Sequence, residues 1–286
     1  MARVLYLAIL AFVAAYIIQY YRVKRCSITR ETADNEYDFV IVGAGTSGSV
    51  IANRLSEIHN VKILLLEAGE EDSPNFLINT PMMVTTLQNA STDWSYRTVP
   101  QKHACFSLKD QVSFWPRGKV LGGSSSINYM VYSRGNRYDY DAWEASGAVG
   151  WGFDDVLAYF KKAESGHIKG HDNLGTDGPL NIESSFGNKA SEWFIKAGKE
   201  IGYKEFDYNA GTGEGFSRIQ YSRKNGVRQS SSSGYLHQVA KQRSNLHILS
   251  GAHVQRILFD QKDEVPRAIG VEYIKNGQKF EVMASK

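Results

Sequence analysis

Gly43, Gly45 and Gly48 stand at the spacing G-x-G-x-x-G, between the β-branched run Phe39–Val42 and a second apolar run that ends on an acid, Glu67. Residues of these types at this spacing suit the holding of a pyrophosphate. Gly43 permits a tight turn, Gly45 lets a phosphate approach the backbone, and Gly48 lets the next helix press against the strand. The first N–H groups of that helix, with its positive dipole end, then face the anion. Glu67 falls at the end of the second strand, about 20 residues past the turn, where a carboxylate can accept both ribose hydroxyls and repels a 2′-phosphate. The alternative is a glycine-rich turn in some other α/β protein. The turn alone does not choose between FAD and NAD.

A second cluster, Trp115 to Gly135, reads WPRGKVLGGSSSINYMVYSRG. Its glycines and serines offer backbone N–H groups uncovered by bulky side chains, and its hydroxyls can cap a helix or turn starting near Ile127. Such a surface suits a flat, partly anionic ring or a phosphate. A flexible linker fits poorly, because linkers rarely carry Trp, Leu, Ile, Tyr and Met at close intervals.

Along its whole length the run from Gly118 to Asp141 resembles the first signature of the glucose–methanol–choline (GMC) flavin oxidoreductases. Asp93-Trp94-Ser95-Tyr96 and Pro100-Gln101 before it resemble the family's approach to the flavin. Asp139 to Trp143, Gly150 to Phe153 and Tyr159 to Lys162 resemble the stretch that follows. The similarity runs from Tyr37 to Lys286 and is closest to animal members of the glucose dehydrogenase type. It implies FAD rather than NAD, and hydride transfer from the CH–OH group of an alcohol or sugar to the flavin, with the electron acceptor unspecified.

Residue by residue, the resemblance implies that Gly43, Gly45 and Gly48 hold the pyrophosphate, with Thr46 and Ser47 adding hydrogen bonds, and that Glu67 binds the adenosine ribose. Val120, Gly122 and Ser124, with Asn128, Tyr129, Met130 and Val131, would line the isoalloxazine and the ribityl chain. Val254 would meet the adenine through its backbone. Alcohol oxidation also needs a base for the hydroxyl proton. In the family this is a histidine near the C-terminus, after a second signature. None of His59, His103, His167, His171, His237, His247 and His253 matches that position, so no catalytic residue is assigned. The expectation is the N-terminal half of such an enzyme, inactive by itself. A non-catalytic flavin-binding product of the secretory pathway is the alternative, and an NAD-dependent short-chain enzyme is disfavoured for want of a suitably placed Tyr-x-x-x-Lys pair.

These groups need a scaffold, and the chain supplies an α/β one. Strand Phe39–Val42, a helix over 47–58 and strand Val61–Leu66 form a βαβ unit, and Leu246–Ser250 extends its sheet. Val254–Phe259, Ala268–Ile274 and Lys279–Ala284 read as a meander inserted into the dinucleotide fold, with a turn at Asn276-Gly277. Helices are expected over Asp154–Glu164, with an Asp N-cap, and over Ser191–Ile201. The domains follow as a leader (1–25), a first FAD-binding part (36–153), the start of an α+β substrate region (154–224) and a second FAD-binding part with the meander (225–286).

The chain has 286 residues, enough for about two domains. Its 33 Lys and Arg against 30 Asp and Glu give no reason to expect nucleic acid. No Cys or His spacing suggests a metal. Residues 4–21 are apolar apart from Gln19 and long enough to cross a bilayer. Tyr16, Tyr20 and Tyr21 favour an uncleaved anchor over a cleaved signal peptide, and either places the chain in the secretory pathway. The flanking charges Arg22, Lys24 and Arg25 favour a cytoplasmic catalytic part. The sequon Asn89-Ala90-Ser91 favours the lumenal or extracellular side, which is the reading adopted. Cys26 and Cys105 are the one possible disulfide pair, disfavoured because Cys26 lies in a charged tether.

Overall fold

The computed structural model describes residues 27–73, 75–168, 173–260 and 265–286. The apolar run 4–21, Cys26 and His171 lie outside them. Among the described residues no helix is long and apolar enough to cross a membrane, and Cys105 has no disulfide partner.

The principal elements in chain order are β1 (Phe39–Val42), α1 (Thr46–Leu55), β2 (Ile63–Leu66), α2 (Arg137–Ala145), α3 (Phe153–Ala163), β3 (Leu180–Ser184), α4 (Lys189–Glu200), β4 (Gln220–Lys224), β5 (Val227–Arg228), β6 (Leu246–Leu249), β7 (His253–Asp260), β8 (Arg267–Lys275) and β9 (Gln278–Ala284). The strands β6, β2 and β1 form a parallel sheet in that order, with β2 central. The antiparallel meander β7, β8, β9 makes a second sheet, completed by Glu36–Tyr37 lying parallel to β9. A third sheet has the order β5-β4-β3 with Glu164–Ser165 at its edge.

The period-2 geometry of β2 divides its four buried residues between two cores. Ile63 and Leu65 pack with Ala44, Ala52, Leu121, Leu236, Leu246 and Ile248 on the side of α1. Leu64 and Leu66 pack with Tyr37, Leu249, Val271, Tyr273 and Val282 on the side of the meander. The layers are therefore helix, parallel sheet and meander, and a strand covered on both faces is apolar throughout for that reason. The tight turn of the meander is at Asn276 (φ 52°) and Gly277 (φ 75°), as the Asn-Gly pair requires.

Three local expectations are corrected. The α3 N-cap is Gly152, with no side-chain cap; Asp154 lies inside the first turn and pairs with Arg137 at 2.6 Å. Helix α4 starts two residues early because Asn188 is its cap, in a reciprocal capping box in which Ser191 is the third helical residue. The 3₁₀ turn in the second glycine cluster is Gly123–Ser126, so it ends before Ile127 rather than starting there.

One buried ion pair ties the chain after this turn to the third sheet. Arg134 binds Glu164 through Nε (2.7 Å) and Nη2 (2.5 Å), and both side chains are fully enclosed. Glu164 also accepts from the Tyr132 hydroxyl and from Gly175 N–H at 2.9 Å. Arg134 donates further to the carbonyls of Asn209 and Asn173. Burial, with the hydrogen bond to Glu164 second, pushes the Tyr132 phenol above its ordinary range. Because Arg134 is the one cation paired with Glu164 among the described residues, Arg134→Met should leave a buried carboxylate without its counter-charge and lower stability by about 3–5 kcal/mol. Chemical denaturation of the variant against wild type measures this.

Candidate functional site

The two glycine clusters meet backbone to backbone. Gly43 (φ +90°) turns the chain after β1, its N–H donating to Leu66 O at 2.7 Å. Gly45 then caps α1 with no side chain in the way. Gly48 packs so closely that a Cβ there would lie 1.9 Å from Gly43 O. Across the gap, Gly122 (φ +85°) donates its N–H to Ala44 O at 2.8 Å. A Cβ on Gly123 (φ +55°) would lie 2.7 Å from Gly45 Cα. By contrast, a Cβ on Gly43 or Gly45 would meet no protein atom within 4 Å. Gly48 and Gly123 are thus fixed by packing, whereas Gly43 and Gly45 border open space.

That space is a cleft of about 430 Å³ lined by Gly43, Gly45, Thr46, Glu67, Ser124 and Val254, among others. It brings together six of the predicted residues from both glycine clusters and from the start of the meander. Thr46 and Ser47 begin α1 and are exposed. Ser47, Gly48, Val120, Gly122 and the run Asn128 to Val131 lie outside the lining. Val120 is buried beside Glu70, in a small core with Ile78, Leu87 and Ile127. Asn128 and Tyr129 are exposed beyond the 3₁₀ turn, Met130 (φ +61°) is buried, and Val131 bridges to Tyr221 of β4.

Glu67 is the carboxylate among the lining residues of the cleft and is 5 % exposed. Its Oε2 accepts from Ala44 N–H at 2.8 Å and its Oε1 from Gly69 N–H at 2.9 Å. Burial raises the carboxyl above its ordinary value, although the Gly69 and Ala44 N–H groups and the Lys119 charge oppose this. One further lone pair on each oxygen is open to a second donor. Behind the cleft, Asp72 accepts from Ser232 Oγ at 3.1 Å and pairs with His237 Nε2 at 2.9 Å. This holds the turn Ser232–Leu236 under α1.

Sequence reasoning missed Trp94, Tyr96, Arg117 and His253 as lining residues. Trp94 stacks on Tyr96 with centroids 6.0 Å apart, and His253 tilts against it at 5.3 Å. The signal was present in the Asp93-Trp94-Ser95-Tyr96 segment. Asp93 accepts from the N–H groups of Asn89, Ser95 and Arg117 and brings the segment to the cleft. His247 is a packing residue, bound to the Tyr37 hydroxyl at 2.8 Å. A larger groove of about 850 Å³ lies at the C-terminal end of α1, lined by Arg54, Lys161, Lys162, Lys224 and Arg243. Neither glycine cluster reaches it, so the chemistry belongs to the smaller cleft. Among the described residues no group of His, Cys, Asp and Glu could hold a metal ion.

A glycine turn, a helix N-terminus and a strand-end acid thus border one cleft. The family model described as GMC oxidoreductase matches residues 37–286. The chain belongs to that family. It is 40% identical over 249 residues to "Glucose dehydrogenase [FAD, quinone]" of Drosophila melanogaster, covering 85% of this chain and 39% of that one. It is 44% identical over 249 residues to the oxygen-dependent choline dehydrogenase of Vibrio vulnificus, covering 85% and 42%. Among solved structures, pyridoxine 4-oxidase from Mesorbium loti superposes with a TM-score of 0.79 at 33% identity, over 87% of this chain and 48% of that one. The chain therefore spans less than half the length of the relatives it matches.

Two outcomes test the site's construction. Gly48→Ala forces a methyl into a backbone carbonyl and should cost more than about 3 kcal/mol of stability, measured by thermal unfolding. The second concerns His237. Burial disfavours its imidazolium, but the Asp72 hydrogen bond and charge outweigh this and raise its pKa. The folded state therefore holds this proton more tightly. The contribution is full below about pH 6.5 and is lost as pH rises through the raised value. The melting-temperature advantage of wild type over His237→Gln should be constant below about pH 6.5 and shrink as pH rises above it.

Proposed function

We propose that this chain is the dinucleotide-binding portion of an FAD-dependent oxidoreductase acting on the CH–OH group of an alcohol or sugar. The observation that carries this reading is the open space at Gly43 and Gly45, facing Glu67 across a cleft walled by the second glycine cluster. FAD is the cofactor of this fold, and when bound it supplies the hydride acceptor.

Gly43 and Gly45 would hold the pyrophosphate, with the α1 N–H groups and the Thr46 and Ser47 hydroxyls as donors. Gly48 keeps the helix close enough to point those donors. Glu67 accepts from the adenosine ribose, and Val254 meets the adenine. Ser124 in the cleft, and beyond it Val120, Gly122, Asn128, Tyr129, Met130 and Val131, would line the isoalloxazine and ribityl chain. Residues 36–153 and 225–286 would then form the cofactor domain, with 154–224 beginning the substrate region. No residue of this chain is assigned as the base. The apolar run 4–21 and the sequon at Asn89 support a membrane-anchored or secreted protein of the secretory pathway.

Gly45 offers the cleanest test, since its φ of −71° is open to any residue and a methyl there touches no protein atom. Gly45→Ala should keep the wild-type melting temperature yet weaken FAD binding on the order of tenfold or more, read by quenching of flavin fluorescence. Glu67→Gln should also weaken FAD, because a charge-assisted bond is worth about 1.5–3 kcal/mol. Wild-type affinity should fall as the medium is acidified through the raised Glu67 pKa, and the variant's should not. Wild-type FAD affinity in both variants would overturn the reading.

A further inference from the structure

Arg228 ends β5 and is 3% exposed. Its Nε donates to Ile78 O at 2.8 Å, and its Nη1 donates to Ser125 O at 3.1 Å and to Asn128 Oδ1 at 2.9 Å. Its Nη2 is buried without a hydrogen-bond partner. Among the described residues no carboxylate pairs with this guanidinium, and burial alone lowers its pKa to about 10. Removing a cation from water without a counter-charge costs several kcal/mol. Two of the three acceptors belong to the second glycine cluster, so any compensating role lies there.

Asn128 Oδ1 accepts a second bond, from Met130 N–H at 2.9 Å. Two donors on one oxygen fix the amide's orientation, because a flipped amide would set its own N–H groups against them. The Asn128 Nδ2 group is therefore left as a donor, on a residue that is exposed beyond the turn. A cation bonded to the amide oxygen polarises the amide and strengthens that donor.

We infer that Arg228 is a positioning residue for the flavin, locking Asn128 so that its Nδ2–H groups are offered to the bound ring system and lending that donor positive character. This rests on the reading that the Asn128–Val131 run lines the flavin. A strengthened donor binds an electron-rich reduced ring better than an oxidised one, so it raises the flavin's reduction potential. Lysine cannot replace the arginine fork, since one ammonium does not span Ile78 O, Ser125 O and Asn128 Oδ1 in a fixed plane.

The test compares wild type, Asn128→Ala, Arg228→Gln and the double variant. FAD affinity is read by fluorescence titration and the midpoint potential by equilibration with redox dyes. Asn128 is exposed, so Asn128→Ala is expected to stay folded even if Arg228→Gln does not. It should weaken FAD on the order of tenfold and shift the midpoint potential to more negative values. Arg228→Gln should shift the potential in the same direction, and the double variant should add little, because both changes break one linked device. If wild type takes up FAD and Asn128→Ala keeps its affinity and potential, this inference is overturned while the functional reading stands. Additive shifts in the double variant also overturn it. If wild type takes up no FAD at all, the functional reading itself falls, and this inference with it.

Discussion

The structure depends on a close backbone approach between two turns about eighty residues apart in sequence. Gly122 N–H reaches Ala44 O at 2.8 Å, and the Cα of Gly123 lies so near Gly45 that a side chain would collide with it. Leu121 N–H continues the contact by donating to Glu70 O at 3.0 Å. Only residues without a Cβ tolerate such an approach at positive φ. Once it is made, the N-terminus of α1, the acid at the end of β2 and the serine-rich turn face a single cleft.

Glu67 shows how that closure sets the electrostatics. The same contact that shapes the cleft buries the carboxylate and supplies it with Ala44 and Gly69 N–H groups. Desolvation and hydrogen bonding then oppose each other, and desolvation is the larger effect. A carboxylate held this way is fixed in direction and poorly hydrated, which suits it to accept from a sugar hydroxyl.

Two buried arginines, one at the end of the second glycine cluster and one packed against it from β5, illustrate different uses of charge. Arg134 is fully compensated: Glu164, two backbone carbonyls and the Asn209 side-chain oxygen near its N–H fix the chain where it enters the third sheet. Arg228 is uncompensated, spending its donors on Ile78 O, Ser125 O and Asn128 Oδ1. The first contributes rigidity to the scaffold, and the second places a positive charge beneath the turn that carries Asn128.

Much of this was legible in the sequence because its signals are local. The apolar run of β1 and β2, the G-x-G-x-x-G turn, Glu67 at the strand end and the Asn276-Gly277 hairpin each follow from neighbouring residues, and the family resemblance rested on contiguous motifs. The addition of β6 to this sheet was also expected, since Leu246, Ile248 and Leu249 of its four residues are apolar; its parallel register with β2 was not. The caps of α3 and α4 were not, because Asp154 is drawn to Arg137, seventeen residues away, and Asn188 competes with Ser191 for the same helix end. Nor could sequence alone show that Trp94 and His253 come together at the cleft, or that Arg228 lies under Asn128. Those contacts join segments about one hundred residues or more apart, and only the packing of the three sheets decides which of their side chains meet.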